Sequence, residues 1–267
     1  MIFLKELHNK NIIITGASSG IGEKIATRVA ARGANPILVA RSETKLEQLQ
    51  TELTRKFAVE CRYYVADLVD VESWKTTLQQ IIADAGKVDA LINNAGVGIF
   101  EYVNEASWES TDRMFQLNVM ALIQAVYQVL PHFIEQGHGH IVNIASMAGK
   151  IATPKAAVYS STKHAVLGFS NALRLETAAT GVYVTTVNLG PVKTNFFTTA
   201  DPEGTYQQSV QRYMLDPDQV AKKVVNSLFT KKREINMPGW MDAGSKVYSL
   251  FPHLFERLLK NQFNKKG

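Results

Sequence analysis

The sequence predicts a doubly wound α/β domain built on a parallel sheet. Three observations carry this: strand-like apolar runs alternate with helical runs, a glycine-rich turn follows the first run, and polar residues recur just after successive runs. Strands separated by helices cannot pair as hairpins, so the crossovers are right-handed and helices cover both faces. In such a sheet, ligands lie outside the carboxyl ends of the strands. The expected organisation is a single domain over residues 1–239 with a C-terminal helical extension over 240–267.

Each element has its own reason. Asn11-Ile-Ile-Ile-Thr15 reads as a buried first strand, and 20–32 as a helix with Ile25, Val29 and Ala30 on one face. Residues 36–40 form a second strand, and 43–57 a charged helix with Leu46, Leu49 and Leu53 at helical spacing. A third strand covers 61–66, followed by a helix over 71–85 carrying Trp74, Leu78 and Ile81. Strands at 88–92, 140–145 and 182–188 alternate with long helices at 111–136 and 155–179. Residues 195–215 hold Gly, Pro, Thr and Gln and read as a loop with one short helix. Asp216 then caps a helix with Pro217 in its first turn, and 233–237 is a candidate seventh strand.

Composition removes several function classes. The chain has 267 residues, 46% hydrophobic and 20% charged, which suits a globular fold with a substantial core and excludes disorder. Twenty-nine Lys and Arg against 24 Asp and Glu give +5, yet no basic block resembles a nucleic-acid patch. Cys61 is the only cysteine, so an intrachain disulfide and a cysteine-based zinc site are excluded, and it reads as a small buried hydrophobe. His132, His138 and His140 are scattered, without the spacing of metal ligands. Residues 1–6 are too short and too soon charged for a secretory signal, and no eighteen apolar residues run together. A cytoplasmic protein is the expectation.

Gly16, Gly20 and Gly22 follow the first strand as G-x-x-x-G-x-G. Such a turn lets the backbone approach a phosphate while a helix amino terminus offers free N–H groups, and Ser18 and Ser19 add hydroxyl donors. A glycine turn that packs helix on strand and binds nothing is the alternative. Gly16, Arg41, Asp67, Asn93 and Ser146 each fall after a predicted strand, on one edge of the sheet.

Tyr159 and Lys163 stand four residues apart, one helical turn, and Ser146 lies upstream. Reduction of a carbonyl needs a proton for the developing alkoxide, and a free phenol at pKa about 10 is poorly matched to neutral pH. Lowering it by about three units requires about 4 kcal/mol, roughly what one ammonium near 4 Å supplies at an effective dielectric of about 20. A surface packing pair is the alternative reading. His164 points away around the helix and reads as structural.

Thr15-Gly-x-x-x-Gly-Ile-Gly22, Asp67, Asn93-Asn-Ala-Gly96, Asn118, Ser146 and Tyr159-x-x-x-Lys163 occur in an order and spacing that resembles the short-chain dehydrogenase/reductase family over residues 8–197. The resemblance implies a Rossmann-like oxidoreductase of the carbonyl reductase kind. It implies Asn118, Ser146, Tyr159 and Lys163 as the catalytic set. Lys163 would also bond the nicotinamide ribose, Ser146 would hold the substrate oxygen, and Asn118 would hold a water linking Lys163 to solvent. Gly16, Ser18, Ser19, Gly20, Ile21 and Gly22 would cradle the pyrophosphate. Asp67 would accept from the adenine amino group, with capping of the next helix as its alternative. Asn93, Ala95 and Gly96 would line the adenosine ribose. Pro191, Val192 and Thr194 belong to a segment similar to the family's nicotinamide loop, with Leu189 where proline is usual. A homodimer or homotetramer joined through the two long helices is implied as well.

At the end of the second strand an acidic residue would accept from a ribose hydroxyl and repel a 2′-phosphate. Ala40, Arg41 and Ser42 stand there instead, and a guanidinium suits a phosphate dianion, so NADP(H) is the expected cofactor. The alternative has Glu43 reaching the ribose, giving NAD. The expected pocket, from Gly98-Ile-Phe100, Met147, Val158 and 191–197, is chiefly apolar. It suits a hydrophobic ketone, aldehyde or 3-oxoacyl group, with Phe196 and Phe197 either covering the substrate or packing under the loop. Alcohol oxidation, or nucleotide sensing without turnover, are the rival functions. In the extension, Val247, Tyr248, Phe251, Leu254, Phe255 and Leu258 recur at helical spacing, interrupted at Pro252, beside Lys246, Arg257, Lys260, Lys265 and Lys266. Packing on the domain or on a partner subunit, or contact with a membrane surface, are the readings open to it.

Overall fold

A computed structural model describes residues 7–263, with side chains up to Leu258. Residues 1–6, read above as no signal, and the tail lysines 260, 265 and 266 have no described side chains. Seven parallel strands form one sheet in the order β3-β2-β1-β4-β5-β6-β7. They are β1 (Asn11–Thr15), β2 (Asn35–Ala40), β3 (Arg62–Val65), β4 (Ala90–Asn93), β5 (Gly139–Ile144), β6 (Val182–Leu189) and β7 (Glu234–Met237). The order reverses between β1 and β4, which opens a crevice at their carboxyl ends.

Alternation along β1 explains the layers. Ile12 and Ile14 face one apolar cluster with Ile25 and Val29 of α1 (Gly20–Ala30) and Val220 and Val224 of α9 (Pro217–Ser227). Ile13 faces the opposite cluster, with Trp74 and Leu78 of α3 (Val71–Ala85) and Val129 and Phe133 of α5 (Ala121–Glu135). All three isoleucines are fully buried, each worth about 1.5–3 kcal/mol on folding. Helix α2 (Glu43–Phe57) adds Leu46, Leu49 and Leu53 to the first of these clusters. Cys61 is buried and its thiol is pushed up to about 12 by that burial, in keeping with a packing role.

The long predicted helix is three joined pieces: α4 (Trp108–Phe115), a π turn (Gln116–Met120) and α5. It starts three residues earlier than expected because Ser107 caps it, accepting from the Ser110 N–H at 3.1 Å. By length and composition 108–135 could cross a bilayer; its Ala125, Val126, Val129 and Phe133 stripe is instead core. Helix α6 spans Ala157–Glu176. The stretch read as a loop with one short helix holds two, α7 (Phe196–Ala200) and α8 (Thr205–Val210), followed by a 3-10 turn, Gln211–Tyr213. The extension forms α10 (Gly239–Leu250) and α11 (Pro252–Phe263), divided at the expected proline.

Candidate active site

The glycine turn is built as its spacing requires. Gly16 and Gly20 have φ of +64° and +57°, the left-handed region. A Cβ on Gly22 would come to 2.3 Å from the Gly16 carbonyl oxygen, so α1 sits directly on the turn. Ser19 caps α1 in extended backbone without a side-chain cap bond, and Glu23 is the first residue whose N–H reaches back, to the Ser19 carbonyl at 3.3 Å. The N–H groups of Gly20, Ile21 and Gly22 have no acceptor among the described residues. Ser18 is half-buried beside them. An open helix amino terminus over a turn with no side chains fits the pyrophosphate of a dinucleotide.

A residue passed over in the sequence holds this turn. Asn94 donates through Nδ2 to the Thr15 carbonyl at 2.9 Å and the Gly16 carbonyl at 3.3 Å. The N–H groups of Asn94 and Ala95 both donate to Thr15 Oγ1 at 3.0 Å. Asn93, expected to line a ribose, points inward instead. Its Nδ2 donates to Asn143 Oδ1 at 2.9 Å, and Asn143 donates on to Ser170 Oγ. The strand pleat explains the exchange, since neighbouring side chains face opposite ways and only one can reach the crevice.

At the adjacent strand ends, Arg41 is exposed and makes no ion pair among the described residues. Ser42 caps α2 without a side-chain bond. Asp67 is exposed, and its Oδ1 accepts from the Val69 N–H at 3.3 Å. Helix α3 is capped by Asp70, which accepts from the Ser73 N–H at 3.0 Å, so Asp67 is not its cap. Gly96 is exposed, and a Cβ there would lie 3.1 Å from Asn118 Oδ1 and 3.6 Å from Lys163 Nζ.

Tyr159, Lys163, Ser146 and Asn118 converge. Lys163 Nζ lies 5.7 Å from the centre of the Tyr159 ring and donates to the Ile144 carbonyl at 3.2 Å. The Ser146 hydroxyl lies beside the Tyr159 phenol and offsets part of the burial that raises it. Ser146 also donates to the Leu189 carbonyl at 3.2 Å and accepts from the Ala148 N–H at 3.1 Å, which fixes its oxygen at the end of β5. Asn118, in the π turn, accepts from the Val97 N–H and donates to the Val97 carbonyl, both at 2.8 Å, and donates to Thr162 Oγ1 at 3.1 Å. Its amide donors are thus spent bracing the loop after β4 against α6. The His164 Nδ1–H donates to the Ser160 carbonyl at 2.9 Å, as a structural residue does.

The electrostatic expectation needs correcting. Burial pushes the Tyr159 phenol up to about 12, and the Ser146 hydroxyl only partly opposes it. Burial also pulls the Lys163 ammonium down to about 8. The pair shares a dry pocket in which desolvation outweighs the attraction that a 4 Å, well-screened estimate assigned to it.

The dryness comes from an aromatic wall. Phe196 of α7 lies 5.8 Å and Phe100 5.7 Å from the Tyr159 ring, and Tyr206 of α8 lies 5.4 Å from Phe100. Phe197 is buried under the loop, so the two phenylalanines divide the alternatives between them. The Phe100 N–H donates to the Ala200 carbonyl at 3.0 Å, tying this wall to the loop after β4. Pro191 and Val192 hold the loop's other end, where the Leu215 N–H donates to the Pro191 carbonyl at 2.8 Å and Val192 bridges Leu215. The Thr194 methyl lies 3.2 Å from where a Gly20 Cβ would sit, so the loop returns over the glycine turn. Leu189 closes β6 opposite Met237.

Residues 10–204 match the short chain dehydrogenase family. The chain is 32% identical over 267 residues to dehydrogenase/reductase SDR family member 7B of Xenopus laevis, covering 96% of this chain and 82% of that one. A short-chain dehydrogenase of Sphingobium yanoikuyae, solved in complex with NADPH, superposes with a TM-score of 0.79 at 27% identity, covering 91% and 95% of the two chains. A short chain dehydrogenase/reductase of Burkholderia phymatum, solved in complex with NAD, shares the fold at TM-score 0.83 and 24% identity, over 94% and 96%.

Proposed function

This chain belongs to the short-chain dehydrogenase/reductase family and is an oxidoreductase of that type, and we propose that it uses NADP(H) to reduce a hydrophobic ketone, aldehyde or 3-oxoacyl group to an alcohol. The carrying observation is the convergence of the buried Tyr159 phenol with Ser146 at the end of β5 and with Lys163, whose Nζ lies 5.7 Å from the ring centre. Burial keeps the phenol protonated at neutral pH, and the Lys163 ammonium beside it lowers the cost of giving that proton to a developing alkoxide.

The residues divide the work. Ser146 would turn its hydroxyl from the Leu189 carbonyl to the substrate oxygen and stabilise the charge growing there. Tyr159 gives up its proton to that oxygen. Lys163, an ammonium at neutral pH, stabilises the phenolate left behind. NADPH, when bound, supplies the hydride. Its pyrophosphate would lie on the free N–H groups of Gly20, Ile21 and Gly22. Arg41 and Ser42, unengaged at the end of β2, would take the 2′-phosphate, and Asp67, Ala95 and Gly96 the adenosine edge. Thr194, over Gly20, would hold the nicotinamide side. The NADPH complex of the Sphingobium protein supports this cofactor reading. Phe100, Phe196 and Tyr206 form the substrate wall, and their apolar faces select a hydrophobic partner for the carbonyl.

The active unit is a homo-oligomer joined through α5 and α6. Met120, Tyr127, Ile134 and Leu175 supply exposed apolar side chains on that side.

A panel of aryl, alkyl and acyl-thioester carbonyls, followed by loss of NADPH absorbance, tests the reading. At least one hydrophobic member is expected to turn over, and Tyr159→Phe to slow it by about 10²–10⁴. No turnover across the panel, or an undiminished variant, would overturn it.

A further inference from the structure

We infer that α10 and α11 form a docking face for an anionic lipid surface. The observation behind this is an apolar row left outside a helix that already has its packed side. Towards the body, α10 turns Met241 against Gly190, Ser245 at 3% exposure, and the Asp242 carboxylate, which reaches Lys150 at 3.5 Å and Lys246 at 2.9 Å. The side facing out carries Trp240, Val247 and Phe251, seven and four residues apart, at 58%, 50% and 59% exposure. Leu250 at the end of α10 and Leu254 and Leu258 on α11 are exposed as well, at 73%, 56% and 73%.

Helix α11 touches α10 through Phe255, whose ring lies 5.5 Å from Tyr248, and leaves Leu254 and Leu258 exposed. Trp240 meets Tyr213 at 5.7 Å, so the stripe continues into the loop that carries the aromatic wall. Amphipathic aromatics at the margin of an apolar stripe suit the headgroup level of a bilayer.

Charge selects the occupant. Asp242 is engaged by two lysines and Glu256 accepts from the Tyr248 hydroxyl. From 257 to the end the sequence has four basic residues, Arg257, Lys260, Lys265 and Lys266, and no acidic one. Over 240–267 the sequence sets five basic residues against Asp242 and Glu256, and a second copy docked symmetrically would double that positive excess. An anionic leaflet supplies the counter-charge and accepts the leucines at once.

The full-length protein is floated with vesicles of phosphatidylcholine alone and of phosphatidylcholine mixed equally with phosphatidylglycerol. Wild type is expected to float with the anionic vesicles and remain below with the neutral ones. Leu254→Glu with Leu258→Glu should cut flotation by about tenfold or more, with unchanged melting temperature and gel-filtration volume. Arg257→Gln, which disturbs no packing, should weaken it to a smaller degree. Failure of wild type to float on anionic vesicles overturns the proposal, as does equal flotation on neutral ones or an undiminished double variant. A smaller oligomer in the double variant, without vesicle binding by wild type, makes the face a subunit contact instead.

Discussion

The Phe196 ring fills the space above Gly98, where an added Cβ would come to 2.5 Å from its Cζ and 3.3 Å from Tyr159 Cδ2. Gly98 is therefore a seat for an aromatic ring against the reacting phenol. A planar apolar substrate would take that seat once Phe196 swings out.

Phe196→Ala should open the wall. With less burial, the Tyr159 phenol is expected to titrate below its present value of about 12, closer to the ordinary value near 10. The KM of bulky aromatic carbonyls should fall about three- to tenfold. Ultraviolet titration and steady-state kinetics read the two effects; an unchanged phenol would mean that other residues keep it dry.

Lys163→Met separates stability from activity. Burial lowers the ammonium from 10.5 to about 8, so between those values the unfolded chain binds more protons than the folded one. Wild-type stability therefore rises with pH across that window, and below about pH 8 the fold carries a costly buried charge. The neutral variant is expected to be more stable at pH 7 by about 1–3 kcal/mol and to lose turnover. In wild type, reduction should decline as pH climbs through about 8, when the ammonium is lost. Urea melts at pH 7 and 10 and a pH–rate profile check both.

Arg41→Ala should raise the KM for NADPH by about ten- to a hundredfold and leave that for NADH little changed, since one charge-assisted contact to a phosphate is worth about 1.5–3 kcal/mol. Equal losses with both cofactors would remove the 2′-phosphate role.

Asp89→Asn concerns the opposite edge of the sheet. The carboxylate is 1% exposed and takes the Lys10 ammonium at 2.8 Å and the Asn11 N–H at 3.0 Å. Burial alone would raise its pKa, but those partners hold it below the ordinary carboxylate range. Its contribution is complete above the unfolded value near 4 and disappears as pH falls through the lower folded value. The variant should lose about 2–4 kcal/mol at neutral pH, lose less of the remainder on acidification than wild type, and keep its KM values. Denaturant melts at pH 7 and 3 test this.

The period of the apolar residues made the seven strands and their helices legible, because each buried face leaves a repeating mark. The Tyr159 and Lys163 pair was legible for the same reason: four residues is one helical turn. Asn93 against Asn94 was not, since adjacent identical residues carry no sign of which way the pleat turns them. The depth of burial at Tyr159 was also hidden. It depends on Phe100 and on Phe196, 37 positions beyond the tyrosine, meeting over it, and a non-local contact leaves no periodic trace. The two short helices of 195–215 were missed because five- and six-residue segments show barely more than one turn of pattern.

The π turn at 116–120 has a consequence for how this stretch can vary. One surplus residue in a helix shifts the phase of everything after it by about 100°. Within the turn Asn118 must meet Val97; downstream, Val129 and Phe133 must meet the sheet. Excising a single residue there would leave a better-formed straight helix that can satisfy one of those demands and not both. Point substitutions can be absorbed along it, but its residue count is fixed.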